Sequence, residues 1–328
     1  MGKFEIAASS EYPVYLDDEA LAGKLCLAVK GTSFYWLAQY YWQFTGAVGL
    51  LLAVYILWML CCEKNGRSSL GLRVVSSLYS YRFLLKQLVI RDFKTKYKRS
   101  SLGMIWSFLN PLLTMLVMYI VFSTLFKSSI TNFPVYLLTG IVCWNLFSEV
   151  TSMSLSSITG NVSLIMKVYV PKYMYPFSRS VSSLVNFSLS FVPLFLVLII
   201  TRTSFTPAFL LLPYPIFCLF IFSLGMGLML AALMVFFRDT QFLWSVISML
   251  WMYLTPIFYD QSIIPDKLMV FYKMNPLYHI TRIMRILLIN GVSPEPKAYI
   301  LCFIASFIPL VLGAILFKKT QDRFVLYL

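Results

Sequence analysis

The chain has 328 residues, of which 59% are hydrophobic and 12% are charged, and its formal net charge is +14. A soluble domain usually carries about 25% charged residues, so this composition excludes an ordinary soluble enzyme and indicates a protein solvated by lipid. Much of the positive excess lies in one block beside an apolar run, and the sequence has no DNA-binding or RNA-binding motif. We therefore expect membrane lipids, and no nucleic acid, as partners of this charge.

The N-terminal extension, residues 1–70, contains the first apolar run. Residues 1–33 are polar and slightly acidic, and residues 35–62 carry no charge. An uncharged run of this length can cross about 30 Å of hydrocarbon. Lys64 and Arg67 follow it, and basic residues favour the cytoplasmic side. The pattern predicts an accessory transmembrane helix at 35–62 with the acidic N-terminus outside.

Residues 71–103 end in the densest cationic block of the chain, which contains Arg91, Lys94, Lys96, Lys98 and Arg99. Before the block, apolar residues recur at helical spacing: Leu78, Tyr81, Leu84, Leu85 and Leu88. Such a segment is typical of an amphipathic helix that lies in the membrane interface. Asp92 falls near the apolar face and interrupts the pattern.

Residues 104–328 contain the remaining apolar runs. We predict six core spans, at 104–126, 135–157, 181–201, 208–236, 241–259 and 298–317. The basic, proline-containing segment 167–179 is interpreted as a loop with a short helix. Four prolines and several cations divide residues 260–297, which favours a re-entrant or surface helix pair on the outer side. Lys and Arg are more frequent in the inside segments, as this topology requires.

The sequence offers little of the chemistry that an enzyme needs. It has no G-x-x-x-x-G-K-[ST] phosphate loop, and Glu149 is the one carboxylate in the predicted spans. A membrane-embedded transferase would need clustered acids or a nucleophile. A secondary carrier would show an internal repeat, and none is visible. Metal-ligand spacing is absent too, and the one histidine is His279.

Aromatic residues, in contrast, are abundant, at 17% of the chain. Six of them cluster where the first two core spans approach the outer side: Tyr119, Phe122, Phe126, Tyr136, Trp144 and Phe147. Ring faces can stack on the C–H faces of sugars, and amphipathic rings also sit at membrane interfaces or pack in cores. The cluster is a candidate channel lining.

Several phrases occur in a characteristic order between Leu84 and Leu328: RDFKTKYKRSSLGMIWSFLNPLL, VYLLTGIVCWNLF, NVSLIMKVYVPKYMYP, FFRDTQF, LTPIFYD and MNPLYHITRIMR. This part of the chain resembles the permease subunit of polysaccharide ABC exporters, the type 2 transporters that move O-antigen or teichoic acid on a polyprenyl pyrophosphate carrier. The resemblance implies an all-α, six-helix transmembrane domain with an interface helix and outer gate helices in the cell membrane. The accessory span is not part of that pattern.

The resemblance also implies partners and site residues. Two permeases would form the channel, and a separate ATPase would bind ATP and Mg, so this chain would hold no cofactor and no catalytic site. Contacts with the ATPase would come from Lys167, Tyr169, Pro171 and Lys172 in a coupling helix, and from Arg238 and Asp239 in a second cytoplasmic turn.

The position of the cations suggests contacts with a pyrophosphate or lipid headgroup, because Arg and Lys pair well with phosphate. The candidates are Arg91, Lys94, Lys98, Arg99, Arg282 and Arg285. The nearest alternative is a type 2 exporter of a lipid, a drug or another small molecule, which would share the architecture.

Overall fold

The computed structural model describes residues 14–16, 19–21, 76, 79–98, 103–124, 132–168, 170–203, 205–260, 265, 269 and 272–327. The chain divides into two units, residues 1–66 and 67–328. In the first unit, strands β1 (Val14–Leu16) and β2 (Glu19–Leu21) pair antiparallel. This hairpin was not expected in an all-α protein. The accessory span predicted at 35–62 lies outside the described residues.

The second unit is entirely helical in its described part. The helices are α1 (Arg82–Tyr97), α2 (Trp106–Thr124), α3 (Phe133–Leu155), α4 (Val162–Lys167), α5 (Met174–Leu189), α6 (Phe191–Ile200), α7 (Pro213–Phe236), α8 (Thr240–Leu254), α9 (Pro276–Arg285), α10 (Pro296–Thr320) and α11 (Phe324–Tyr327). A π-helical turn at Ile286–Asn290 extends α9. Short 3₁₀ turns lie at Gly103–Ile105, Thr159–Asn161, Pro207–Leu211 and Gln321–Arg323.

Five helical stretches of the described residues are long and apolar enough to cross a membrane. They are Gly103–Ser123, Phe133–Leu155, Met174–Ile200, Pro207–Phe236 and Pro296–Tyr327. They correspond to five of the six predicted core spans. The remaining predicted span, 241–259, corresponds to the shorter helix α8, which ends at Leu254 after 15 residues. At 1.5 Å per residue such a helix covers only about 22 Å.

The segment 167–179 was predicted as a loop with a short helix, and this prediction is wrong at its C-terminal end. Helix α5 already begins at Met174 and runs through Pro176 and Arg179. Proline is tolerated in the first turn of a helix, because the N–H that it lacks would have no partner there. Pro111 lies inside the first turns of α2, as predicted.

Helix α7 lies at the centre of the second unit and packs against α3, α5 and α10. Gly225 on α7 and Gly313 on α10 meet where these two helices cross. A Cβ atom added to Gly313 would overlap the backbone of Gly225. Small residues at such a crossing let two helix backbones approach closely, which is a common way to join membrane helices. This contact fixes the scaffold that carries the site.

Candidate functional site

A network of charged and polar residues joins α1 to its neighbours. Asp92 is only 4% exposed, and its Oδ1 lies 2.9 Å from Nη2 of Arg91 and 3.2 Å from Nη1 of Arg179 on α5. Arg91 also donates a 3.0 Å hydrogen bond to Oδ1 of Asn161, just before α4. A buried carboxylate needs such partners. The network therefore connects α1, α4 and α5.

A second polar network lies nearer the C-terminal end of α1. Nζ of Lys96 is 2.8 Å from Oε1 of Glu149 on α3. Asn186 on α5 donates a 2.8 Å hydrogen bond to the other carboxylate oxygen. The side-chain oxygen of Asn186 accepts hydrogen bonds from Ser107 and Tyr97. These residues form one side of a cleft of about 340 Å³ between α1, α2, α3 and α5. Glu149 is thus held by two partners.

Helix α4, the predicted coupling helix, presents an exposed tip. Met166 and Val168 are 56% and 49% exposed, and Lys167 between them is exposed as well. Lys172 points to another part of this chain, because its Nζ donates a 2.6 Å hydrogen bond to the carbonyl oxygen of Gln321. Pro171 is half-buried, and Tyr169 lies outside the described residues. Of the predicted coupling residues before α5, Lys167 is the one that the fold leaves most accessible.

The turn predicted as the second cytoplasmic contact joins α7 to α8. Arg238 and Asp239 are both exposed there. Asp239 occupies the position that precedes α8, but its side chain makes no capping hydrogen bond. Among the described residues no ion pair joins it to Arg238. In the described part of the chain, these two side chains therefore do not cap the N-terminus of α8.

The predicted headgroup cations fall into two groups. Lys94, Lys98 and Arg282 are exposed; Lys94 lies near the C-terminal end of α1, and Lys98 directly follows the last residue of that helix. Arg99 lies outside the described residues. Arg91 is held by Asp92 and Asn161, and Arg285 is buried.

Arg285 is 6% exposed and ties three segments together. Its guanidinium donates hydrogen bonds to the carbonyl oxygens of Pro256 at 2.7 Å, Ile257 at 3.1 Å and Tyr136 at 3.3 Å. It also lies 3.4 Å from the centroid of the Tyr136 ring, a cation–π geometry. Burial lowers the pKa of Arg285 to about 10, so the group remains charged at neutral pH. The guanidinium joins α3, the segment after α8, and α9.

The predicted channel aromatics that the structure describes do not form one lining in this chain. Phe147 is fully buried and stacks on Phe222 at 5.0 Å between ring centroids. Tyr136 is buried, and its hydroxyl donates to the carbonyl oxygen of Tyr259. The more accessible members are Tyr119, Phe122 and Trp144, and Phe126 lies outside the described residues.

Sequence reasoning did not select Asn161, Arg179 or Asn186 as site residues. Each is a polar side chain that contacts a charged one: Arg91, Asp92 and Glu149, respectively. A signal for Arg179 was present, since Asp92 on an apolar face requires a cation somewhere in the fold. The choice of partner needed the packing of α1 on α5.

The fold defines a multi-pass helical membrane protein in which α1 is hydrogen-bonded to the turn that precedes α4. The chain belongs to the ABC-2 type transporter family, whose model matches residues 84–289. It is 33% identical over 258 residues to an O-antigen export system permease protein RfbA from Myxococcus xanthus, covering 77% of this chain and 98% of that protein.

Two further relatives carry names of the same kind. An O-antigen export system permease protein RfbA from Klebsiella pneumoniae is 31% identical over 75% of this chain and 96% of its own length. The capsule polysaccharide export inner-membrane protein CtrC from Neisseria meningitidis is 26% identical over 64% of this chain and 81% of its own length.

Proposed function

We propose that this chain is the membrane subunit of an exporter of O-antigen or capsular polysaccharide. The observation that carries the proposal is the match to the Myxococcus xanthus permease, which extends over 98% of that protein. The matched family is a membrane-domain family, and the sequence has no phosphate loop of its own. ATP and Mg would therefore bind to a separate ATPase subunit.

The proposed assembly contains two copies of this chain. Supporting this, α8 presents large apolar side chains, among them Phe242, Val246 and Tyr253, each at least 60% exposed. Such a face needs lipid or another protein surface over it. The two copies, each with six spans, would enclose a channel between them. In each copy α8 and the α9 region would complete the outer part of that channel. The substrate we propose is a glycan on a polyprenyl pyrophosphate carrier.

Coupling to the ATPase is proposed to occur at the tip of α4. Met166 and Val168 are apolar, and Lys167 adds one charge, so the tip fits an apolar groove with an acidic rim. Asn161 precedes α4 and accepts a hydrogen bond from Arg91 on α1. Movement of the tip would therefore displace the interface helix as well. Arg238 and Asp239 offer a second contact.

Headgroup recognition is assigned, within this proposal, to Lys94 and Lys98, because both are exposed, Lys94 near the C-terminal end of α1 and Lys98 directly after it. Juxtamembrane cations attract anionic headgroups with about 1 kcal/mol per residue. Arg282 is the exposed candidate on the outer side. Arg91 and Arg285 already bind groups of this chain, so the proposal does not assign the headgroup to them.

The test is deletion and complementation in the organism that encodes the chain. Without it, polysaccharide should be lost from the cell surface while its lipid-linked form accumulates inside. The wild-type chain should restore the surface polymer only together with an active ATPase partner. Unchanged surface polysaccharide, together with loss of efflux of a small lipid or drug, would contradict the proposal and favour the alternative substrate class.

A further inference from the structure

A cleft lined largely by polar residues lies between α1, α2, α3 and α5. Its volume is about 340 Å³, at the lower end of the range for small-molecule sites. Glu149 lies six residues before the end of α3, which is about 9 Å along the helix axis. The cleft therefore lies within the spans, close to the end that carries α1 and α4.

One wall of this cleft is satisfied by its own contacts. Lys96 and Asn186 each contact one carboxylate oxygen of Glu149 at 2.8 Å. The side-chain oxygen of Asn186 accepts from Ser107 and Tyr97. Because Lys96 and Glu149 neutralise each other, this wall carries no net charge. A diphosphate, which needs unpaired cations, is not the ligand that such a wall favours.

Other polar groups on α3, beside Glu149, have unused hydrogen-bonding capacity. Asn145, Ser148 and Ser152 recur at helical spacing on one face of α3 and line the cleft. Among the described residues, their side chains make no hydrogen bond with each other or with another side chain. An amide and two hydroxyls offer donors and acceptors together. Polar groups at this depth need partners, because lipid offers none.

An aromatic ring completes the site. Trp106 lines the cleft at the start of α2 and is 44% exposed. Its ring can cover the apolar face of a ligand, while amide and hydroxyl groups bind its polar edge. A neutral ligand that has many hydroxyls, each both donor and acceptor, and also a C–H face fits this combination. Sugars have both properties.

We propose that this cleft binds a sugar residue of the glycan before translocation, with Asn145, Ser148 and Ser152 as hydrogen-bonding residues and Trp106 as the stacking ring. The inference rests on the proposed function, because it takes a glycan as the substrate. It adds a resting site for neutral sugar, separate from the exposed lysines assigned to the headgroup. The Lys96–Glu149 pair shapes the wall and keeps it uncharged.

Site-specific photocross-linking tests the proposal. A benzophenone amino acid replaces Ser152 in the full chain, in cells whose polysaccharide is labelled with a tritiated sugar precursor. The partner ATPase is a hydrolysis-deficient variant, so that no glycan moves through. Val185 on α5 is the matched control, since it is 45% exposed, next in sequence to Asn186 and not part of the cleft. We expect sugar label at position 152 at least about 5-fold above position 185.

A second measurement uses substitutions that remove single polar groups. Asn145→Leu and Ser148→Val, each introduced beside the benzophenone at position 152, should lower its labelling about 3- to 10-fold, the range expected for one lost hydrogen bond. Their unfolding temperatures show whether each variant is folded. Equal label at 152 and 185, or undiminished label in both folded variants, would overturn the sugar site. Failure of the wild-type chain to restore surface polysaccharide would instead overturn the proposed function, so the two failures are distinguishable.

Discussion

Replacing Arg285 with methionine should lower the stability of the protein, because this residue joins α3, the segment after α8, and α9. The guanidinium makes three hydrogen bonds to carbonyl oxygens at 2.7, 3.1 and 3.3 Å. A hydrogen bond from a charged donor contributes about 1.5–3 kcal/mol. Methionine leaves three carbonyls without this donor, but it fills the space and removes the cost of a buried charge. We expect a net loss of about 2–4 kcal/mol.

Thermal unfolding of the purified chain in detergent measures this loss. At about 2–4 °C per kcal/mol for a domain of this size, the unfolding temperature should fall by roughly 4–16 °C. Arg282→Met is the matched control on the same helix, because Arg282 is exposed, and it should unfold close to wild type. Arg285→Lys should be intermediate, since an ammonium cannot reproduce the guanidinium fork. If Arg285→Met and Arg282→Met unfold at the same temperature, the assignment of Arg285 as a structural anchor is wrong.

Three further predictions concern the helix contacts and the coupling tip. Gly313→Leu should destabilise the protein by about 3 kcal/mol or more, because the added side chain overpacks the crossing of α7 and α10. Ala314→Leu, at the exposed neighbouring position, should have no such effect. Equal unfolding temperatures of the two variants would contradict the close approach of the two helix backbones. Asp92→Asn should cost about 3 kcal/mol by breaking a buried ion-pair network, measured by thermal unfolding against Lys94→Gln, an exposed cation on the same helix. Val168→Asp should reduce co-purification of the ATPase about 10-fold with no change in unfolding temperature, because it places a charge in an apolar contact. Normal co-purification would contradict the assignment of the tip of α4 as an ATPase contact.

The sequence was sufficient for the membrane class and for most spans. Uncharged runs longer than 18 residues have few alternatives, because backbone polar groups in lipid must be satisfied within a helix. The family assignment expected from the ordered phrases is confirmed by the match over residues 84–289. The start of α5 was misjudged, because Pro176 was taken as a helix breaker although it lies in a first turn.

Side-chain roles were harder to predict. Arg285 and Arg282 lie three residues apart on α9, yet one is buried and the other exposed. The burial of Arg285 depends on carbonyls contributed by α3 and by the segment after α8, which are distant in sequence. Phe147 was grouped with channel aromatics, but its stacking partner Phe222 comes from α7. Long-range packing, not local pattern, decides these cases.

Reconstitution of the chain in proteoliposomes tests the central claim most directly. The account predicts ATP-dependent movement of a lipid-linked glycan across the bilayer when this chain and its ATPase partner are both present. Neither the chain alone nor the ATPase alone should move it, and the chain alone should not hydrolyse ATP. Nucleotide turnover or uphill transport by this chain without a partner would contradict the account.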